Sequence, residues 1–153
     1  MFKVNLVVVG KVKEKYFSDA INEYKKRMQR FCDFSVYECK EYGSEDSVPS
    51  VALKKESEEI LKRLSGYVFV LAIEGKSLSS SAFSEKLLKI KDVVGEATFV
   101  IGSSYGVDES VKKRADELLS FTPMTFPHTL FRVMLCEQIY RAFMIAGGGK
   151  YHK

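Results

Sequence analysis

The feature that most restricts how this chain can fold is its first apolar run, "FKVNLVVVG" (2–10), and the way such runs alternate with helical patterns. A nearly unbroken β-branched run suits a strand covered on both faces, because a strand with one wet face alternates polar and apolar residues. "YVFVLAIEG" (67–75) has the same character, and "ATFVIGSSYG" (97–106) is a strand running into a glycine-bounded turn. "FSVYECKEY" (34–42) alternates and predicts a more exposed strand. After the first run, Tyr16, Ala20, Tyr24 and Met28 stand four apart, which predicts a helix with one apolar stripe toward the sheet. Its other side carries Lys25, Lys26, Arg27 and Arg30. "PSVALKKESEEILKRL" (49–64) opens with the helix-start residues Pro49 and Ser50 and stops before Gly66. "SAFSEKLLKIKDVV" (81–94) puts Phe83, Leu87 and Ile90 on one helical face. Asp108 is placed to cap a helix through Leu119, "SFTPMTF" (120–126) reads as a last short strand, and a long helix follows from Thr129 to Ala146. Strands alternating with helices predict an α/β fold with a mostly parallel sheet flanked by helices. The 153 residues fit one domain spanning 1–153, with no repeat or linker. Ligands of such sheets sit at the carboxyl ends of the strands, here Gly10, Gly75, Gly102 with Gly106, and Phe126.

Several chemistries are disfavoured. The three cysteines, Cys32, Cys39 and Cys136, are odd in number and lack C-x-x-C spacing. That argues against a disulfide framework or zinc site and for a reducing, cytoplasmic setting. The opening run is short and lacks a small-residue cleavage site, so it reads as a strand rather than a signal peptide. No apolar stretch approaches the ~18–20 residues of a membrane span, so no membrane partner is expected. "VVGKVKEK" has one glycine and is no dinucleotide fingerprint; there is no Walker loop and no G-x-S-x-G elbow. No D-x-D pair or histidine cluster suggests a metal. The net charge of +4 permits a nucleic-acid partner without demanding one. "GSSYG" (102–106) either lets a backbone approach a ligand closely or is a plain tight turn.

The segment "MTFPHTLFRVMLCEQIYRAFMIAGGGKYHK" is more specific, and it holds both histidines. Glu137, Gln138 and Arg141 share one polar face, with Glu137 and Arg141 spaced as an ion pair. Arg132 falls roughly opposite, among apolar positions. A guanidinium there must reach a carboxylate, terminal carbonyls or a ligand, since burying it alone is very costly. The helix is apolar nearly all round, more than one sheet face covers, which points to a second subunit. Gly147 to Gly149 end it and leave a hinge. Tyr151, His152 and Lys153 then form either a working tail or a frayed end.

"FVIGSSYGV", then "LSFTPMTFPHTLFRVMLCEQIYRAF", then a glycine and "YHK", is similar to the SPOUT-class large-subunit rRNA methyltransferases of the RlmH type. "VVVGKVKEKYFSDAINEYKKRM" and "LAIEGKSLSS" resemble that family as well, so the likeness covers essentially the whole chain. The resemblance implies a homodimer with a carboxy-terminal trefoil knot. It implies S-adenosyl-L-methionine as cofactor and N3 of a pseudouridine as target, in a 23S rRNA hairpin of the assembled ribosome. It also implies three cofactor loops: Leu71, Gly102, and Phe121, Thr122, Pro123, Met124, Thr125 and Phe126. Ser103 stands where the family usually has a second glycine, and Pro123 where it often has a basic or small residue.

A methyl transfer to a protonated ring nitrogen needs donor and acceptor aligned and the proton removed. A neutral imidazole can take it near pH 7, so His128 or His152 is a candidate base, with water as the alternative. Arg132 and Arg141 could hold phosphate or a uracil carbonyl, Tyr151 could stack on a base, and Lys153 extends the RNA-binding tail. The readings from other classes are a flavodoxin-like FMN-binding module using the same strand ends, and a cofactor-free RNA-binding protein. The FMN module does not account for the block from "FPH" to "YHK".

Overall fold

The computed structural model describes residues 1–43 and 47–153. Five strands, β1 (Lys3–Val9), β2 (Asp33–Cys39), β3 (Tyr67–Ser77), β4 (Glu96–Ile101) and β5 (Glu117–Ser120), form one sheet in the order β2-β1-β4-β3-β5. Every pairing is parallel. Four helices connect them, α1 (Lys15–Met28), α2 (Pro49–Leu61), α3 (Ser80–Val93) and α4 (Glu109–Arg114), and α5 (His128–Ala146) follows β5.

The unbroken run in β1 is buried on both faces, as its composition requires. Leu6 and Val8 point into a core with Phe69, Phe99, Leu87, Leu135 and Ile139. Val7 and Val9 point the other way, toward Val68, Val70, Val100, Ile60 and Val111. This period-two alternation yields three layers, with α1, α3 and α5 on one face of the sheet and α2 and α4 on the other. Phe69 and Phe99 stack at 4.8 Å across β3 and β4.

Three expectations need correction. The helix capped by Asp108, whose carboxylate accepts the Ser110 N–H, ends at Arg114 and not at Leu119. The Asp116 carboxylate accepts the Val68 N–H while the Asp116 N–H donates to the Val68 carbonyl, which pins the chain to β3. Glu117–Ser120 therefore forms the last strand, and 121–126 is a loop beyond it. The α1 stripe is also displaced: Tyr16 is 67% exposed, and Ile21 and Met28 are the buried residues. On α5, Leu135, Ile139 and Phe143 are buried against the sheet and neighbouring helices, while Phe131, Val133 and Met134 stay partly exposed.

β3 departs from regularity where it meets β5. Leu71 and Lys76 both pair with Leu119, so residues 72–75 loop out of the ladder. A β-carbon on Gly75 would lie 2.6 Å from the Leu118 carbonyl carbon, so only glycine lets the strand return this closely.

Candidate active site

The looped-out 72–74, the turn after β4 and the loop after β5 surround one cavity of about 610 Å3. It lies at the carboxyl ends of β3, β4 and β5, where parallel sheets bind ligands. Leu71, Ile101, Phe121, Phe126 and Phe131 supply apolar wall, and the backbone of 102–106 supplies polar groups. An adenosine-sized ligand needs this combination of an apolar slot and a few fixed donors and acceptors. Of the residues implied as cofactor contacts, Leu71, Gly102, Phe121, Thr122, Met124, Thr125 and Phe126 line the cavity; Pro123 lies in the same loop but not among the lining residues. The site is held by secondary contacts. Lys112 of α4 bonds the Glu74 carboxylate at 2.5 Å, and the Thr122 hydroxyl accepts the Met124 N–H.

"GSSYG" is a tight turn and a wall of the cavity at once. The Gly106 N–H donates to the Ser103 carbonyl, the Ser103 hydroxyl accepts the Tyr105 N–H, and Gly106 has φ of +84°. At Gly102 a β-carbon would collide with the Gly106 carbonyl. The glycine is needed there so that the turn can close on itself. Ser103, in place of a second glycine, is buried and fixes the turn through its hydroxyl.

His128 opens α5 and lines the cavity half-buried. Burial lowers its pKa below the ordinary value of 6.5; the Arg132 charge adds to this, and Glu41, Glu14 and Glu56 oppose it. The ring is therefore neutral at pH 7 and able to accept a proton. Arg132 is 1% exposed and does not line the cavity. Its Nη2 donates to the carbonyls of Val9 and Gly10 at 2.7 and 2.9 Å, and Nη1 lies 3.6 Å from Glu38. The guanidinium thus ties the start of α5 to the end of β1, the strand-end carbonyl arrangement among those open to it.

The tail lies elsewhere. α5 runs from the cavity to the opposite edge of the sheet, where Phe143 packs on Phe2 at the start of β1. Gly148, with φ of +69°, turns the chain back along the helix. The Tyr151 ring meets Tyr140 edge-on at 5.0 Å, and its hydroxyl donates to Glu137 at 3.1 Å. Burial first, then the Glu137 charge, pushes the Tyr151 pKa up to about 12. Arg141 pairs with Glu137 at 2.5 Å, lies over the Tyr151 ring, and donates from Nη1 to His152 Nδ1 at 3.1 Å. An arginine can only donate, so in this contact His152 Nδ1 is the acceptor. Lys153 is exposed. Thirteen residues of helix separate His128 from Arg141, about 20 Å at the α-helical rise. His128 is thus brought to the cavity, while Arg141, Tyr151, His152 and Lys153 form a second cluster well away from it.

Sequence reasoning passed over Ile101, Tyr105 and Phe131, all of which line the cavity. Phe131 stands three residues after His128, so helical spacing could have found it. Tyr105 lies inside the glycine turn already singled out. The Lys112–Glu74 pair joins elements 38 residues apart and left no local signal.

Comparison with known proteins agrees with this arrangement. The family described as predicted SPOUT methyltransferase matches residues 2–152. A protein of Streptococcus pyogenes serotype M5 (strain Manfredo), named ribosomal RNA large subunit methyltransferase H, is 46% identical over 159 aligned positions, covering 99% of both chains. Its namesake from serotype M49 (strain NZ131) is 45% identical with the same coverage. The structure of a probable methylase family protein from Haemophilus influenzae Rd KW20 superposes with a TM-score of 0.60 at 13% identity, over all of this chain and 72% of that one, a likeness of fold. With a parallel sheet, a cavity at its carboxyl edge and a match along nearly the whole chain, this protein belongs to the SPOUT methyltransferase family.

Proposed function

We propose that this methyltransferase uses S-adenosyl-L-methionine to methylate N3 of a pseudouridine in 23S rRNA of the assembled ribosome. The observation that carries the reading is the cavity, which assembles the three separate loops that the resemblance implies for the cofactor. The relatives' name supplies the large-subunit RNA as substrate. Bound in the cavity, the cofactor would offer an electrophilic methyl group on its sulfonium. Leu71, Ile101, Phe121 and Phe131 would enclose the adenine, and the backbone of 102–106 would orient it. N3 of the base gains the methyl and loses its proton, for which His128, neutral and at the cavity, is the better-placed acceptor. In the docked tail His152 Nδ1 is engaged by Arg141 and the ring stands away from its own chain's cavity. Arg132 serves as a positioning residue that holds the start of α5.

The distance of the tail from its own cavity favours a dimer in which the tail of one chain serves the cavity of the other. A second cavity of about 490 Å3, lined by Tyr24, Leu78, Phe83, Val133 and Met134, leaves apolar surface for that contact. The carboxy-terminal knot belongs to the same reading. The three cysteines are free and buried, which suits the reducing cytoplasm. Among the described residues no helix is long and apolar enough to cross a membrane, and no cluster could hold a metal ion.

The test is a thermal titration. S-Adenosylhomocysteine at a hundred times its dissociation constant should stabilise the fold by about 2.7 kcal/mol. FMN should not, and stabilisation by FMN alone would replace this reading with the nucleotide-binding one.

A further inference from the structure

The basic run of α1 has no role in the account so far. α1 ends at the edge of the sheet opposite the cavity, and there it meets the end of α5. Phe31 stacks on Phe143 at 5.1 Å, Arg30 Nη2 lies 3.6 Å from Met144 Sδ, and the Arg27 guanidinium stands 5.7 Å from the Tyr140 ring. Tyr140 in turn carries Tyr151 of the tail. The last turn of α1 and the tail therefore form one continuous surface. Exposed on these two segments are Lys25 and Lys26 of α1, Arg30 just past its end, and Lys150 and Lys153 of the tail. Arg27 and Arg141 are neutralised by Glu23 and Glu137, but none of those five has a carboxylate partner among the described residues.

One explanation is local. Cations at a helix carboxyl end complement its dipole, and α1 gains from Lys25 and Lys26 in that way. That effect fades within one turn of the helix and does not involve the tail's exposed lysines. Unpaired cations on a firm aromatic base are what a phosphate backbone requires: charge to displace counterions, and little ordering left to do on binding. The aromatic rings are engaged with one another and with Arg27, Arg30 and Arg141, so they hold Arg30 in place rather than offering free faces for base stacking.

We propose that the carboxyl end of α1, through Lys25, Lys26 and Arg30, joins Lys150 and Lys153 in a phosphate-binding face that docks the ribosomal RNA backbone. This rests on the substrate reading above and adds α1 to the RNA surface. The face positions RNA without reading bases, so it should set affinity and leave chemistry alone.

The experiment compares ribosome binding by the wild type and by the Lys25→Gln/Lys26→Gln/Arg30→Gln variant across a salt series. A Lys62→Gln/Lys89→Gln/Lys91→Gln variant controls for net charge. Neutralising α1 should weaken binding about tenfold or more and flatten the slope of log affinity against log salt by roughly two to three, since each lost phosphate contact removes about 0.7–0.9. The control should keep the wild-type slope. Affinity for S-adenosylhomocysteine and turnover at saturating ribosomes should be unchanged. Wild-type affinity and slope in the α1 variant, with only a lower melting temperature, would assign these cations to the helix end and overturn the proposal. The same holds if the control loses as much. A wild type with no ribosome affinity even at low salt would remove the substrate reading and this face with it.

Discussion

Gly102 and His128 show how single residues define the cavity. A side chain at Gly102 would strike the Gly106 carbonyl before it reached any ligand. Gly102→Ala should therefore push the 103–106 turn out of place. Affinity for S-adenosylhomocysteine should fall about tenfold or more, a loss of ~1.4 kcal/mol or greater, while the sheet stays folded. Unchanged affinity in a calorimetric titration would show that the turn tolerates the methyl group. At His128 the folded chain disfavours the proton. Above pH 6.5, the ordinary value, both folded and unfolded chains hold the ring neutral. As the pH falls from there toward the lowered folded value, the unfolded chain takes up the proton first, so stability declines with acid. Melting curves between pH 5 and 7.5 should show that decline, and His128→Gln should flatten it. An identical acid slope in the variant would assign the effect to other groups.

Among the elements, the tail has most to test. It packs through one ring edge and two polar contacts rather than hanging free. Deleting 150–153 should lower stability by about 1–2 kcal/mol, the scale of an aromatic pair with a hydrogen bond. Cofactor affinity should hold, because the cavity lies at the other end of α5, and methyl transfer should be lost. Full activity after deletion would leave His128 as the sole histidine in question. The elements also mark what the sequence could disclose. β1, β3 and β4 were legible because burial on both faces imposes unbroken apolar runs, and α5 because its pattern stays helical over many turns. β5 was not, for it is four residues long and half polar, and it owes its place to Asp116 bonding β3 from 48 residues away. The 72–75 excursion likewise depends on a close approach of Gly75 to the Leu118 backbone that no local pattern encodes. The three loops proposed for the cofactor came from resemblance and strand-end reasoning together, whereas the bonds of Arg132 to Val9 and Gly10 needed the fold.

For the molecule as a whole, the tail's distance from the cavity leads to the proposal that a pair of chains is the working unit. Light scattering should give twice the mass of one chain at micromolar concentration. Phe143 is a poor place to break that dimer, because it sits in the core between Phe2 and Phe31, and a charge there would unfold the chain. Met134→Asp, on the half-exposed wall of the second cavity, should instead give a folded monomer without activity. A dimeric, active Met134→Asp protein would place the interface elsewhere. The most direct measurement of the central claim is transfer of labelled methyl from S-adenosylmethionine to 70S ribosomes whose 23S rRNA lacks the modification. Label should enter 23S rRNA at one pseudouridine, blocking its N3, and approach one methyl per ribosome. Ribosomes that stay unlabelled in the presence of folded, cofactor-bound enzyme would contradict the account.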